Sequence, residues 1–244
     1  MHGQMMTLPL IVSSLLEHAE RYHGDTEIVS RTDEGTLHRY TYADAHLRAK
    51  KAANALTKLG IQPGDRIGTL AWNGYRHFEL YYAISGMGAI THTINPRLFP
   101  EQIGWIVNDA EDCIVCFDLS FAALVESIAA HCPNVKHWVA LSERALMPTL
   151  NIPNLLCYEE LLAEECADFA WPQLDERSAA ALCYTSGTTG NPKGVLYSHR
   201  STLLHAISSA LPDALALSSR DVIAPVVPML SLIHISDGAR EACR

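Results

Sequence analysis

Nowhere in its 244 residues does the chain carry an apolar run long enough to span a bilayer, so membrane contact is expected to be peripheral. Basic residues are also scarce. Lys and Arg total 18 against 27 for Asp and Glu, a formal net charge of −9, which argues against a nucleic-acid or anionic-membrane surface. The opening stretch MHGQMMTLPLIVSSLLEHAERYHG has no charged leader before a continuous apolar run and passes into helical periodicity ending at Gly24. Secretion is not implied. Seven cysteines, an odd number without an export signal, suit reduced thiols and a cytoplasmic location. Neither HExxH nor a paired CxxC occurs, so the twelve histidines read as surface and packing residues rather than metal ligands. The lone CxxC, Cys113 and Cys116, falls in the strand-like run CIVCFD. Side chains three apart on a strand point to opposite faces, so both are expected to be buried core thiols.

What is present is an alternation of periodicities. Thr41-Tyr42-Ala43-Asp44 has the form of a capping box, and Ala45, Ala49, Ala52, Ala53, Leu56 and Leu59 recur at helical spacing until Gly60. After the turn Gln62-Pro63-Gly64-Asp65, the pattern predicts a strand over 66–72, a helix over 75–87 and a strand over 89–95. A helix opening at Pro100-Glu101, a strand over 113–117, a helix over 122–130 and a strand over 136–141 follow. Such succession predicts an α/β fold, a mostly parallel sheet with helices on both faces. The proline-bearing stretch 142–172 reads as an irregular surface crossing between two subdomains.

The run Tyr184 to Arg200, YTSGTTGNPKGVLYSHR, carries the chemistry. An apolar strand over 179–184 leads into it, a short strand over 195–198 leaves it, and Ser198 is placed to cap a helix through Leu204. Gly187, Gly190 and Gly194 permit positive φ that turns backbone N–H groups inward, while Thr185, Ser186, Thr188 and Thr189 add hydroxyl donors and Lys193 a point charge. This composition at a strand end, where α/β folds place ligands, is suited to holding phosphate. It is not a Walker A element, because Lys193 follows Pro192 and precedes Gly194 rather than Ser or Thr. His199 is placed either to approach nucleotide or to pack. Trp72 and Asn73, at another strand end, read as structural, and Asn95-Pro96-Arg97 reads as a strand-to-helix turn without an assigned role.

The 184–200 run is similar to the signature phosphate loop of the adenylate-forming (AMP-binding) superfamily. With TLAWNGYRHFELYYAISGMGAITHTINPRLFPEQI from Thr69 and LCYTSGTTGNPKGVLYSHRSTLLH from Leu182, the chain resembles bacterial medium- and long-chain acyl-CoA synthetases, including those acting on methylthiopropionate. The resemblance runs from about Gly3 to Met229. It implies an ATP-dependent acid:CoA ligase, in which a carboxylate attacks the α-phosphorus of ATP to give acyl-adenylate and pyrophosphate, and coenzyme A then displaces AMP. A medium-chain fatty acid is the expected substrate and 3-(methylthio)propionate the alternative. Acyl transfer to a carrier protein and a noncatalytic nucleotide-binding or interaction protein are the other readings. The resemblance further implies Mg2+, with Thr185 as a candidate ligand, ATP-phosphate contacts from Thr185, Ser186, Gly187, Thr188, Thr189, Gly190 and Lys193, and a homodimer for the full-length form.

Family members are much longer, so residues 1–229 are expected to form part of an N-terminal AMP-binding domain. The aromatic-histidine segment of the acyl tunnel, the glutamate for magnesium, the aspartate for ribose and the C-terminal domain with its catalytic lysine have no counterpart here. After Pro225-Val226-Val227-Pro228-Met229 the chain continues LSLIHISDGAREACR, and 230–244 reads as translated sequencing adapter rather than evolved protein. His234 and Asp237 are therefore not offered as catalytic, and the fragment is expected to be inactive alone.

Overall fold

The computed structural model describes residues 3–185, 191–226 and 229. The sequence-predicted Ser186, Gly187, Thr188, Thr189 and Gly190 lie outside them, as does 230–244.

Helix α1 (Ser13–His23) ends at Gly24 as its periodicity requires, and strands β1 (Glu27–Arg31) and β2 (Leu37–Thr41) form a separate antiparallel hairpin. Its turn uses Gly35 at φ +88°, a conformation that L side chains rarely adopt. Helix α2 (Tyr42–Lys58) starts on the expected capping box. The Asp44 N–H donates to Thr41 Oγ1 at 3.2 Å and the Thr41 N–H to Asp44 Oδ2 at 2.9 Å, satisfying two donors at the helix start.

From there strand and helix alternate: β3 (Arg66–Leu70), α3 (Tyr75–Gly86), β4 (Ile90–Thr93), α4 (Pro100–Asp109), β5 (Asp112–Phe117), α5 (Ala122–Ala129) and β6 (His137–Ala140). Then come β7 (Leu155–Cys157), α6 (Tyr158–Ala163), β8 (Ala179–Thr185), β9 (Lys193–Ser198) and α7 (His199–Ala210). Among the described residues seven strands form one sheet in the order β7-β6-β5-β3-β4-β8-β9, parallel throughout except for the β8–β9 pair.

Two apolar clusters sandwich this sheet. On one face Ala52 and Leu56 of α2, Leu80 and Ile84 of α3 and Leu162 of α6 meet Ile67, Ile114 and Val139. On the other Ile103 and Ile106 of α4 and Val125 and Ile128 of α5 meet Leu70, Val115 and Phe117. Helices thus cover both faces, and the near-continuous apolar character of the central strands follows from that double burial.

Two expectations need correction. The 142–172 stretch contains β7 and α6, and β7 extends the same sheet beside β6. It is also anchored inward at Trp171, whose ring lies where a Cβ on Gly86 would stand, 2.6 Å away. The CxxC departs from simple alternation as well. The β3–β5 register shifts between Arg66 and Ile67, which pair with Asp112 and Ile114, so Cys113 sits at an irregularity. Buried Cys116 and half-buried Cys113 then pack against the same cluster instead of opposite faces.

Candidate functional site

Strand β3 feeds α3 on one face and β4 feeds α4 on the other, so the loops leaving these neighbouring strands diverge. That divergence makes a crevice at the C-terminal edge of the sheet, the place where open α/β sheets take ligands. Because β8 lies parallel to β4, its last residue, Thr185, arrives at the same edge.

The chain returns antiparallel along β9, with Thr185 paired to Lys193, Tyr184 to Gly194 and Cys183 to Val195. Both Thr185 and Lys193 are exposed, and the Thr185 hydroxyl approaches the Lys193 carbonyl at 3.5 Å. The return strand begins at Lys193, two residues earlier than the sequence predicts. Lys193 makes no ion pair among the described residues, which leaves its ammonium available to an anion at the hairpin mouth.

Gly194 has a different role from the one expected. It does not adopt positive φ. A Cβ there would stand 3.2 Å from the Leu182 side chain and 3.2 Å from the Tyr184 ring, so its value is close approach across the hairpin. Tyr184 in turn donates its hydroxyl to Asp109 Oδ2 at 2.7 Å and lies 5.1 Å, ring to ring, from His92. Burial and the neighbouring Asp109 carboxylate raise its phenol well above the ordinary range. The strand entering the 184–200 run is therefore braced against the end of α4.

The other half of the crevice is the turn after β3. Trp72 donates its backbone N–H to Asp118 Oδ2 at 2.7 Å and its indole N–H to Ser120 Oγ at 2.9 Å. Burial pushes the Asp118 carboxyl up to about 7. Next to it, Asn73 donates its amide to the Pro225 carbonyl at 2.8 Å and accepts the Met229 N–H at 2.7 Å. The Met229 carbonyl accepts the Tyr81 hydroxyl. Sequence reasoning took Asn73 as structural, and its contacts are structural ones, made from the turn that follows β3 to backbone groups more than 150 residues away.

Asn95-Pro96-Arg97 is the expected turn, closed by the Arg97 N–H donating to Asn95 Oδ1 at 3.0 Å. His199 is a packing residue. It is fully buried, its Nδ1 accepts the Val12 N–H at 3.2 Å, and burial pushes its pKa down to about 4. Ser198 caps α7 as expected, accepting the Ser201 N–H at 3.1 Å.

Among the described residues no group of three His, Cys, Asp or Glu side chains is arranged to hold a metal. The exposed Thr185 hydroxyl is a hard oxygen donor, suited to a small divalent cation whose remaining ligands are phosphate and water. No helix among the described residues is long and apolar enough to cross a membrane.

A mostly parallel sheet with helices on both faces, ending in a hairpin that bears Thr185 and Lys193, defines an α/β class of protein. Residues 15–236 match the AMP-binding enzyme family, and the chain belongs to that family. It is 54% identical over 229 residues to the 3-methylmercaptopropionyl-CoA ligase of Ruegeria lacuscaerulensis. It is 50% identical over 229 residues to the medium-chain-fatty-acid–CoA ligase of Ectopseudomonas oleovorans. Each match covers 94% of this chain and 42% of the relative, so the chain spans about two fifths of their length. Among solved structures, the inhibitor-bound N-terminal domain of FACL13 from Mycobacterium tuberculosis superposes with a TM-score of 0.76 at 25% identity, over 98% of this chain and 56% of that one.

Proposed function

We propose that this chain is the phosphate-gripping part of an ATP-dependent acid:CoA ligase. The observation that carries the reading is the pairing of exposed Thr185 with Lys193, a cation without an ion pair among the described residues, at the crevice edge of the sheet. Negative charge moves onto pyrophosphate as an acyl-adenylate forms, and a fixed lysine with hydroxyl and N–H donors stabilises it without reorganising. Lys193 and the 185–190 run would hold the phosphates. Thr185 would supply one oxygen to Mg2+, which neutralises phosphate charge when bound.

The substrate proposed is a medium-chain fatty acid, as in the name of the 50% identical relative. A second reading, 3-(methylthio)propionate, is favoured by the 54% identity to a ligase named for that acid. Acid-dependent exchange of pyrophosphate into ATP, measured on the protein restored to the length of its relatives, tests adenylation; its absence would leave a noncatalytic nucleotide-binding role. Thioester formation with free CoA separates a ligase from an enzyme that loads a carrier protein, and a panel of acids separates the two substrates. Lys193→Ala should slow adenylation roughly a hundredfold, the scale of losing one preorganised charge-stabilising group. Unchanged pyrophosphate release in that variant would remove Lys193 from the site.

The same reading divides the chain at Met229, with 230–244 foreign to the enzyme. Resequencing across the Met229 codon checks this, and a genomic stop codon directly after Arg244 would refute it.

A further inference from the structure

Asn73 is held from both sides before it touches anything beyond its own turn. Trp72 is pinned by Asp118 and Ser120, its ring lies 5.0 Å from Phe121, and its carbonyl meets His77 Nδ1 at 3.0 Å. On the other flank the Gly74 N–H donates to the Trp72 carbonyl at 2.9 Å, and Gly74 caps α3. From this rigid base one side chain reaches a distant part of the chain twice, donating to Pro225 and accepting from Met229. A primary amide does both from separate atoms, its NH2 donating and its oxygen accepting; a carboxylate only accepts and an alkyl group does neither.

The third contact comes from α3. Tyr81, buried and stacked on His77 at 4.9 Å, donates to the Met229 carbonyl, so both backbone polar groups of Met229 are taken by side chains. Tyr81 also neighbours Thr93 of β4 and Cys183 of β8, and these two touch each other at 3.3 Å. Cys183 stands two residues before Thr185. A continuous set of contacts thus runs from Asn73 through Met229 and Tyr81 to the strand that delivers the phosphate-binding hairpin.

We infer that Asn73 is a positioning residue: with Tyr81 it clamps the Met229 backbone in register with β4 and β8, setting the chain at the crevice relative to the nucleotide-phosphate site. The clamp is a matter of geometry alone, and only its service to nucleotide binding rests on the ligase reading. Asn73 touches no reacting atom in this role. It acts through the backbone that it holds.

Methionine-selective isotope labelling of the 244-residue chain allows exchange of the Met229 amide to be followed directly. Asn73→Ala should speed that exchange about tenfold or more, because the amide loses its acceptor. Asn73→Asp should restore most of the protection, since it keeps an acceptor for the Met229 N–H while losing the donor to Pro225. General destabilisation would speed exchange in both variants alike and would move the thermal midpoint with it. Equal Met229 exchange in parent and Asn73→Ala overturns the clamp.

MgATP affinity of the same proteins, by equilibrium dialysis, tests the coupling. Asn73→Ala should weaken it about threefold or more, and Asn73→Asp less, as expected of population loss at a preorganised site. Measurable MgATP binding in the parent that is identical in Asn73→Ala overturns the coupling. Absence of MgATP binding in the parent overturns the nucleotide service of the clamp and counts against the phosphate-site reading, while Met229 exchange still decides the clamp itself.

Discussion

His77 shows how burial of a single titratable side chain supports the crevice and makes a pH-dependent prediction. It is fully buried, its Nδ1 donates to the Trp72 carbonyl, and its Nε2 meets Thr69 Oγ1 at 3.1 Å. Burial disfavours the imidazolium and lowers its pKa from the ordinary 6.5 to about 4. The unfolded chain therefore binds a proton more readily, so the stability due to neutral His77 is full above pH 6.5 and is lost as pH falls towards 4. Glu79 and Asp118 have the opposite sign, since burial raises each to about 7 and the folded state holds their protons more tightly between pH 4 and 7. His199, also lowered to about 4, has the sign of His77, so the parent curve mixes both signs and only the difference from a variant isolates His77. Denaturant unfolding of parent and His77→Gln should show their stability gap closing between pH 6.5 and 4 by on the order of 3 kcal/mol. A gap independent of pH would mean that His77 titrates near its ordinary value.

At the scale of elements, the central strand β3 is shaped by what crosses it. His92 of β4 and Asp112 of β5 do not belong to adjacent strands, yet they pair at 2.7 Å over Gly68 of β3. A Cβ at Gly68 would stand 2.9 Å from Asp112 Oδ2, 3.1 Å from Ile94 and 3.2 Å from Val115, with no exposed space to yield into. Gly68→Ala should therefore cost about 1–3 kcal/mol, the range for overfilling a packed core, read as a lowered urea midpoint. A midpoint equal to that of the parent would show that the pair is dispensable or moves freely. The alternation of β3 to β6 with their helices was legible because it rests on local periodicity, and the caps at Thr41 and Ser198 because their partners lie three residues away. The β7–α6 unit was not. Its signals are long-range: Glu159 meets Arg48 at 3.0 Å and Arg76 at 2.8 Å, and Tyr158 donates to Glu79 at 2.9 Å. The Cys113 irregularity and the reach of Asn73 to Met229 are likewise products of register and topology. Thr185 and Lys193 were legible as residue types, while their direct pairing required the antiparallel return of β9.

Across the described residues, the two edges of the sheet differ. Short β7 closes one edge, with only three residues to offer a neighbour. At the opposite edge β9 lacks a second partner strand among the described residues, and all of Lys193 to Leu196 is exposed, Leu196 at 60%. Beside it α7 leaves Leu204 and Ile207 exposed at 42 and 52%, and Leu211, just past its end, is exposed at 53%. An edge strand with free N–H and C=O groups next to apolar side chains is a template for association. The chain spans about two fifths of its relatives, so a surface of this kind is consistent with an interface that the longer proteins complete. The isolated chain should therefore self-associate as its concentration rises and scatter light before it unfolds. Leu196→Lys with Ile207→Glu places a charge on the strand edge and another on the helix, opposing edge pairing and apolar contact together. In sedimentation velocity the double variant should remain monomeric at concentrations where the parent forms larger species. Because both positions are exposed, its unfolding free energy should stay within about ±0.5 kcal/mol of the parent, as is typical of surface changes, and its thermal midpoint should move little. A parent that is monomeric and melts cooperatively would show that this edge is protected without a partner, and the charged substitutions would then change neither mass nor midpoint.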